Sequence, residues 1–337
     1  MSRPLVFVSC GVTTMPLIPL LASHYTPVVP LAETVAFWAR HGIETVEWGA
    51  LADPARQPEL QAAAHRLAAE WYDRLEPAAD ALCSLAGEER GGEFLPAVDG
   101  VVRRLLAEHL DALSLGRSLG QSGRLAAAVV HEDVTGLVRA FLAGVREAGV
   151  PAVHVPHGVY GDDALVGADL HGTSHTDVIA AGGPAQRAWF LRRGVPADRI
   201  VVTGNPAWDH LAAVVPRPAG TGGRGPVVTV AGSWVGGGNA YRAFTQHDQD
   251  RRLCACLAAV GARQAADPSV QLVVKLHPSA PASEDERVRA LAEASGARLD
   301  VVAREHLVQI LVASDVLMTL PSTLVVEALL VGTPVIA

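Results

Sequence analysis

Several groups of residues stand just past short apolar runs, where a strand would end and a side chain would open into a cleft. Ser322-Thr323 follows the run Val316 to Leu320 and the stop at Pro321, and it precedes Leu324, Val325, Ala328 and Leu329 at helical spacing. Two hydroxyls beside the free backbone N–H groups of a helix start suit the phosphates of a ligand. His277-Pro278 follows Val273 to Leu276, and its imidazole either adds a second phosphate donor on the same sheet edge or sits in a surface turn. Gly232-Ser233, with Gly236, Gly237 and Gly238, forms a loop that either lets backbone approach a diphosphate or covers surface; it fits neither common glycine-rich phosphate pattern. Glu327, one turn into the helix after Ser322, either accepts from ribose hydroxyls or is solvated.

Acid–base chemistry has two candidates, His157 and Asp133. His157 ends the run Ala152 to Val155 and is followed by Gly158, which lets the chain turn sharply. An imidazole there can take a proton from an alcohol near neutral pH, or it can simply bond a loop carbonyl. His131-Glu132-Asp133 ends the run Leu125 to Val130, where it binds an acceptor, orients His157, or caps the next helix through Asp133. A metal is not assigned: His171 and His175 are four apart, but Gly172, Thr173 and Ser174 are poor helix formers and the glutamate of H-E-x-x-H is absent.

The elements that must position these groups alternate strand and helix. Leu5 to Ser9, Val28-Val29 and Thr45 to Glu47 are of strand type, and about residues 58–118 the pattern turns helical and Ala/Leu-rich. Leu125 to Val130, a helix over Val134 to Ala148, and Pro151 to Val155 make a βαβ unit for a parallel sheet. Strands at Asp177 to Ala180 and Arg199 to Thr203 flank a helix over Pro184 to Arg193. Residues 214–226 are so rich in Pro and Gly that they read as a linker. Strands follow at Val227 to Ala231, Gln271 to Leu276, Leu299 to Val302 and Val316 to Leu320. The expectation is an α/β chain of two Rossmann-like, doubly wound parallel-sheet domains facing a cleft: 1–213 with a helical excursion, the linker, and 227–337.

Composition bounds the partners. The chain has 337 residues, 50% hydrophobic content and net charge −8, with no run of basic residues longer than two. Two cores can be buried, and no electrostatic footprint for nucleic acid is present. Cys10, Cys83, Cys254 and Cys256 lie at irregular spacings and read as reduced core residues of a cytoplasmic protein. Leu5 to Ala22 is broken by Gly11, Pro16 and Pro19, so it reads as a first strand and loop rather than a secretory segment.

The motifs Leu276-His277-Pro278, Pro321-Ser322-Thr323 and Glu327-Ala328 to Pro334, with His154 to Gly158 and Val201 to Asp209 in the first half, resemble GT-B-fold glycosyltransferases. They are most similar to the bacterial capsule and teichoic-acid polymerase group with HP and SS/ST motifs, over about residues 125–337. The resemblance implies metal-independent transfer of a sugar or polyol phosphate from a nucleotide-activated donor to a saccharide or lipid-linked acceptor in cell-surface polysaccharide synthesis. It implies no cofactor and at most peripheral membrane association. His157 would act on the acceptor, while His277, Ser322 and Thr323 hold the donor phosphates. Such enzymes usually continue beyond the point matching Ala337, so the second domain is expected to be incomplete. Two other readings stand beside this one. A non-hydrolysing sugar-nucleotide 2-epimerase shares the double sheet and the HP turn but is expected to show an SGG turn where Ser322-Thr323-Leu324 stands. The third is a non-catalytic nucleotide-sugar-binding remnant.

Overall fold

A computed structural model describes residues 3–11, 13–86, 88–133, 136–156, 158, 176–214, 225–232, 246–276, 280–281, 283–303, 307–319 and 323–336. The chain divides into two compact units, Met1–His157 with Asp169–Ala207, and Gly158–Ala168 with Trp208–Ala337.

The first unit is built on β1 (Leu5–Val8), β2 (Thr26–Val29), β3 (Val46–Glu47), β4 (Leu125–Val130), β5 (Ala152–His154), β6 (Val178–Ala181) and β7 (Ile200–Val202). They form one sheet in the order β3-β2-β1-β4-β5-β6-β7, and every pairing is parallel. Parallel strands need crossovers, supplied by α1 (Ile18–Leu21), α2 (Ala32–Arg40), α3 (Gln57–Ala86), α4 (Glu88–Gln121), α5 (Gly136–Glu147) and α6 (Pro184–Arg192).

The two-residue period of β1 serves both faces of this sheet. Leu5 and Phe7 pack with Leu115, Leu119, Phe141, Leu142 and Val145 of α4 and α5, whereas Val6 and Val8 pack with Ile18 and Trp38 of α1 and α2. On the first face α4 and α5 meet backbone to backbone. A Cβ on Gly116 would lie 2.2 Å from the Phe141 carbonyl oxygen, and one on Gly144 would lie 2.2 Å from that of Leu113.

The second unit repeats the logic with β8 (Val227–Ala231), β9 (Gln271–Lys275), β10 (Val301–Ala303), β11 (Val316–Thr319) and β12 (Val335–Ile336), ordered β10-β9-β8-β11-β12 and again parallel. Its helices are α7 (Gln246–Ala266), α8 (Glu284–Ala294), α9 (Leu307–Ala313) and α10 (Thr323–Leu330). Val228 and Val230 face Leu253, Leu257, Val288 and Ala292, while Ala231 and Leu317 face Leu311 and Ala328. Both sheets are therefore doubly wound and parallel, as the alternation of elements predicts.

The edge where the strands begin is closed by carboxylates. Asp177 Oδ2 accepts the Ala152 N–H at 2.8 Å, Asp315 Oδ2 that of Val227 at 2.8 Å, and Asp300 Oδ2 that of Leu272 at 2.7 Å. For β5 and β8 this is the first amide of the strand and for β9 the second, donors that would otherwise lack a partner where the strands begin. The opposite edge, where strands end, holds the polar groups of interest. Among the described residues no helix is long and apolar enough to cross a membrane. Cys10, Cys254 and Cys256 are free thiols.

Candidate active site

In a doubly wound sheet the chain leaves in opposite directions from two adjacent strands, and the crevice beyond their carboxyl ends receives ligands. In the first unit those strands are β1 and β4. Polar side chains are buried just past them and past β5: Ser9 (2% exposed), Thr13 and Thr14 (0%) and Asp133 (1%), with His154 (0%) closing β5. Ser9, Thr13 and Thr14 are each fixed by hydrogen bonds, so their positions are set by the fold.

The loop after β1 carries most of these bonds. Thr14 Oγ1 accepts from the Gly11 N–H at 3.0 Å and donates to the Ser9 carbonyl, folding the loop back on the strand end. Thr13 Oγ1 donates to the Val155 carbonyl at 2.9 Å, tying the same loop to the end of β5. Ser9 Oγ lies 2.7 Å from His131 Nδ1 and accepts the His131 backbone N–H at 2.8 Å, tying it to the end of β4. His131 Nε2 stands 3.8 Å from Glu132 Oε1. His154 packs edge-on against Phe190, with ring centres 6.2 Å apart. Asp133 thus sits where an acid–base group is useful, at the switch point of the sheet. His157 lies outside the described residues.

In the second unit β8 and β11 flank the corresponding crevice. Gly232, half-buried, follows β8, and Thr323, half-buried, opens α10 after β11. Thr319 Oγ1 donates to the Ala231 carbonyl at 3.2 Å, locking the ends of the two strands together. Gly158 belongs to this unit, and a Cβ on it would lie 3.5 Å from Thr323 Cγ2. Ser233, His277 and Ser322 lie outside the described residues.

Glu327 is half-buried rather than solvated. Burial pushes its carboxyl above the ordinary range, opposed by a hydrogen bond from the Trp208 side chain and by the charges of His210 and Lys275. Lys275 ends β9 at 6% exposure and donates through Nζ to the Leu276 carbonyl at 2.6 Å. A carboxylate, an indole and a buried ammonium of this unit thus act on one another's charge. They can address hydroxyls and anionic oxygens together.

Sequence reasoning singled out Asp133, Gly232, Thr323 and Glu327 but passed over Ser9, Thr13, Thr14, Trp208 and Lys275. For the first three a signal existed: Ser9, Gly11, Thr13 and Thr14 follow the first strand directly, and small and hydroxyl residues past a strand end are candidates for a crevice. Among the described residues no group of three or more His, Cys, Asp or Glu side chains could hold a metal ion.

No family model matches the chain, and no curated protein does. Solved structures do match in fold. UDP-GlcNAc 2-epimerase from Neisseria meningitidis bound to UDP-GlcNAc aligns at 12% identity and TM-score 0.58, over 99% of this chain and 81% of that one. UDP-N-acetylglucosamine 2-epimerase from Rickettsia bellii aligns at 11% and 0.53, over 99% and 78%. Anabaena HepE in complex with UDP and glucose aligns at 12% and 0.53, over 99% and 80%. The epimerases among them share the GT-B fold, and the expected pair of doubly wound parallel sheets stands.

The expected activity does not. The transferase reading from the sequence is overturned by the two epimerases among these neighbours, which are named for a change at carbon 2 of a UDP-sugar rather than for transfer to an acceptor. The reason lies in what the motifs address. The His-Pro and Ser-Thr turns were assigned to the phosphates of an activated sugar, a part that transferase and epimerase substrates have in common, so these turns are silent on the fate of the sugar. Nothing in these comparisons supports a saccharide or lipid-linked acceptor, membrane association or membership of the capsule polymerase group.

Proposed function

We propose that this chain is a non-hydrolysing sugar-nucleotide 2-epimerase, with a UDP-N-acetylhexosamine as its substrate. Inverting a carbon that bears hydrogen requires one group to take the proton from one face and another to return a proton to the opposite face. The observation that carries this reading is Asp133, a carboxylate 1% exposed at the switch point of the first sheet, with His131 and Glu132 beside it. Such a set serves proton transfer at a carbon and needs no second substrate.

The nucleotide is assigned to the second unit. Gly232, Thr323 and the start of α10 suit phosphate oxygens, and His277, Ser233 and Ser322 extend that set by their places in the sequence. Glu327, held by Trp208, suits the ribose hydroxyls. The fold shared with proteins solved with UDP-GlcNAc or UDP supports a uridine nucleotide. Ser322-Thr323-Leu324 still departs from the SGG turn expected of such epimerases, and Thr323 supplies a hydroxyl where that pattern has glycine.

The test is incubation with UDP-GlcNAc followed by proton NMR of the nucleotide sugar. A second anomeric signal belonging to the C2 epimer, growing to a fixed ratio, is expected. Release of free UDP with the sugar configuration unchanged contradicts the proposal.

A further inference from the structure

Ser9 is buried to 2% exposure, and its hydroxyl has two partners, both on His131. The backbone N–H of His131 can only donate, so at 2.8 Å the Ser9 oxygen accepts there. The hydroxyl hydrogen is then left with one acceptor within reach, His131 Nδ1 at 2.7 Å. Were Nδ1 to carry a proton instead, it would face an oxygen whose own hydrogen had nowhere to go, and an unsatisfied buried donor is costly. The proton of a neutral His131 therefore belongs on Nε2, the nitrogen that stands 3.8 Å from Glu132 Oε1.

The ring is also held in place. A Cβ on Gly11 would lie 2.2 Å from His131 Cγ and 2.5 Å from Cδ2, so the imidazole lies against the backbone of the loop after β1. That loop is pinned by Thr14 to Ser9 and by Thr13 to Val155. Only glycine at position 11 leaves room for the ring in this pose.

We propose that Ser9 is a positioning residue that fixes His131 as its Nε2–H tautomer, so that this N–H, beside Glu132 and two residues from Asp133, serves as a hydrogen-bond donor to an oxygen of the sugar. This rests on the nucleotide-sugar reading for the ligand, though not for the tautomer. A fixed neutral donor differs from a mobile imidazolium: it holds a sugar oxygen without placing a full positive charge next to the carboxylate that must accept a proton.

The tautomer is read from the nitrogen chemical shifts of His131 in 15N-labelled protein at pH 8, without ligand. Nδ1 is expected to resonate as the unprotonated, acceptor-type nitrogen, and Ser9→Ala is expected to shift it toward the mixture seen for free imidazole. An Nδ1–H form in the wild-type protein overturns the inference, whether or not Ser9→Ala folds. An unchanged tautomer in a folded Ser9→Ala variant overturns it too. Gly11→Ala, which keeps the hydroxyl but displaces the ring, is expected to lose the tautomer preference as well, and a preference retained there contradicts the pose.

The ligand is then tested separately. UDP-GlcNAc is expected to shift the His131 Nε2–H signal, whereas UDP alone is expected to raise the melting temperature without moving it. If both bind and neither moves the signal, the role toward the sugar falls and the nucleotide reading survives. If neither binds, the nucleotide-sugar reading falls together with the ligand half of this inference.

Discussion

Trp208 packs into the same apolar cluster as Leu324 and Ala328 of α10, and its side chain favours the ionised form of the Glu327 carboxyl on that helix. The same carboxyl is pushed up by burial, and Trp208 together with the charges of His210 and Lys275 only partly offsets this. The folded chain therefore binds this proton more tightly than the unfolded chain. Its contribution to stability is largest at low pH and is lost as pH rises from the ordinary value, 4.5, through the raised one. Measured by urea unfolding, the wild-type protein is expected to lose stability relative to Glu327→Gln across that window. A difference that does not change with pH contradicts the assignment.

Asp133 is assigned to proton transfer, so its loss must act on turnover rather than on the nucleotide. Asp133→Asn keeps the shape of the side chain and is expected to lower kcat by roughly 10²- to 10⁴-fold, the range for losing a general acid–base group. The affinity for UDP, measured by calorimetry, is expected to stay within about twofold. An equal loss of both contradicts the division of roles between the two units.

The contact between α4 and α5 makes the glycines there sensitive in a way that the helical pattern alone does not. Gly144→Ala would drive a methyl to within 2.2 Å of the Leu113 carbonyl oxygen, and such overpacking costs about 1–3 kcal/mol. Gly100, also in α4, meets nothing within 4 Å, and Gly100→Ala is expected to stabilise by about 0.5–1 kcal/mol through helix propensity. Chemical denaturation of the two variants should give shifts of opposite sign.

Asp315 illustrates how the far edge of the second sheet is held. Asp315→Ala leaves the Val227 N–H without its carboxylate and is expected to cost about 1–3 kcal/mol in unfolding free energy. A variant as stable as the wild-type protein contradicts the role assigned to this bond.

Much of the frame can be read from residue order, because short apolar runs bounded by Gly, Pro or polar residues mark buried parallel strands. Leu125–Val130 and Val227–Ala231 are strands over the ranges the pattern predicts, and the turn after α10 holds Gly332, whose φ of 81° only glycine adopts with ease. The second strand starts earlier than predicted, at Thr26, because Pro27 reads as a break although its neighbours still pair. The site is less legible. Ser9 and His131 are 122 positions apart, and Trp208 meets Glu327 only through the fold. Periodicity carries no trace of either pair, because neither contact lies within one element. The reaction was the least legible of all, since the residues with recognisable spacing address phosphates that different reactions share.

The central claim is proton exchange at C2 of a nucleotide sugar. Incubation of the protein with UDP-GlcNAc in D2O, followed by NMR and mass spectrometry of the nucleotide sugar, tests it most directly. The account predicts one solvent deuterium at C2, appearing in both epimers and slowed by Asp133→Asn. A nucleotide sugar recovered with its C2 hydrogen intact, under conditions where UDP binding is demonstrated, contradicts it.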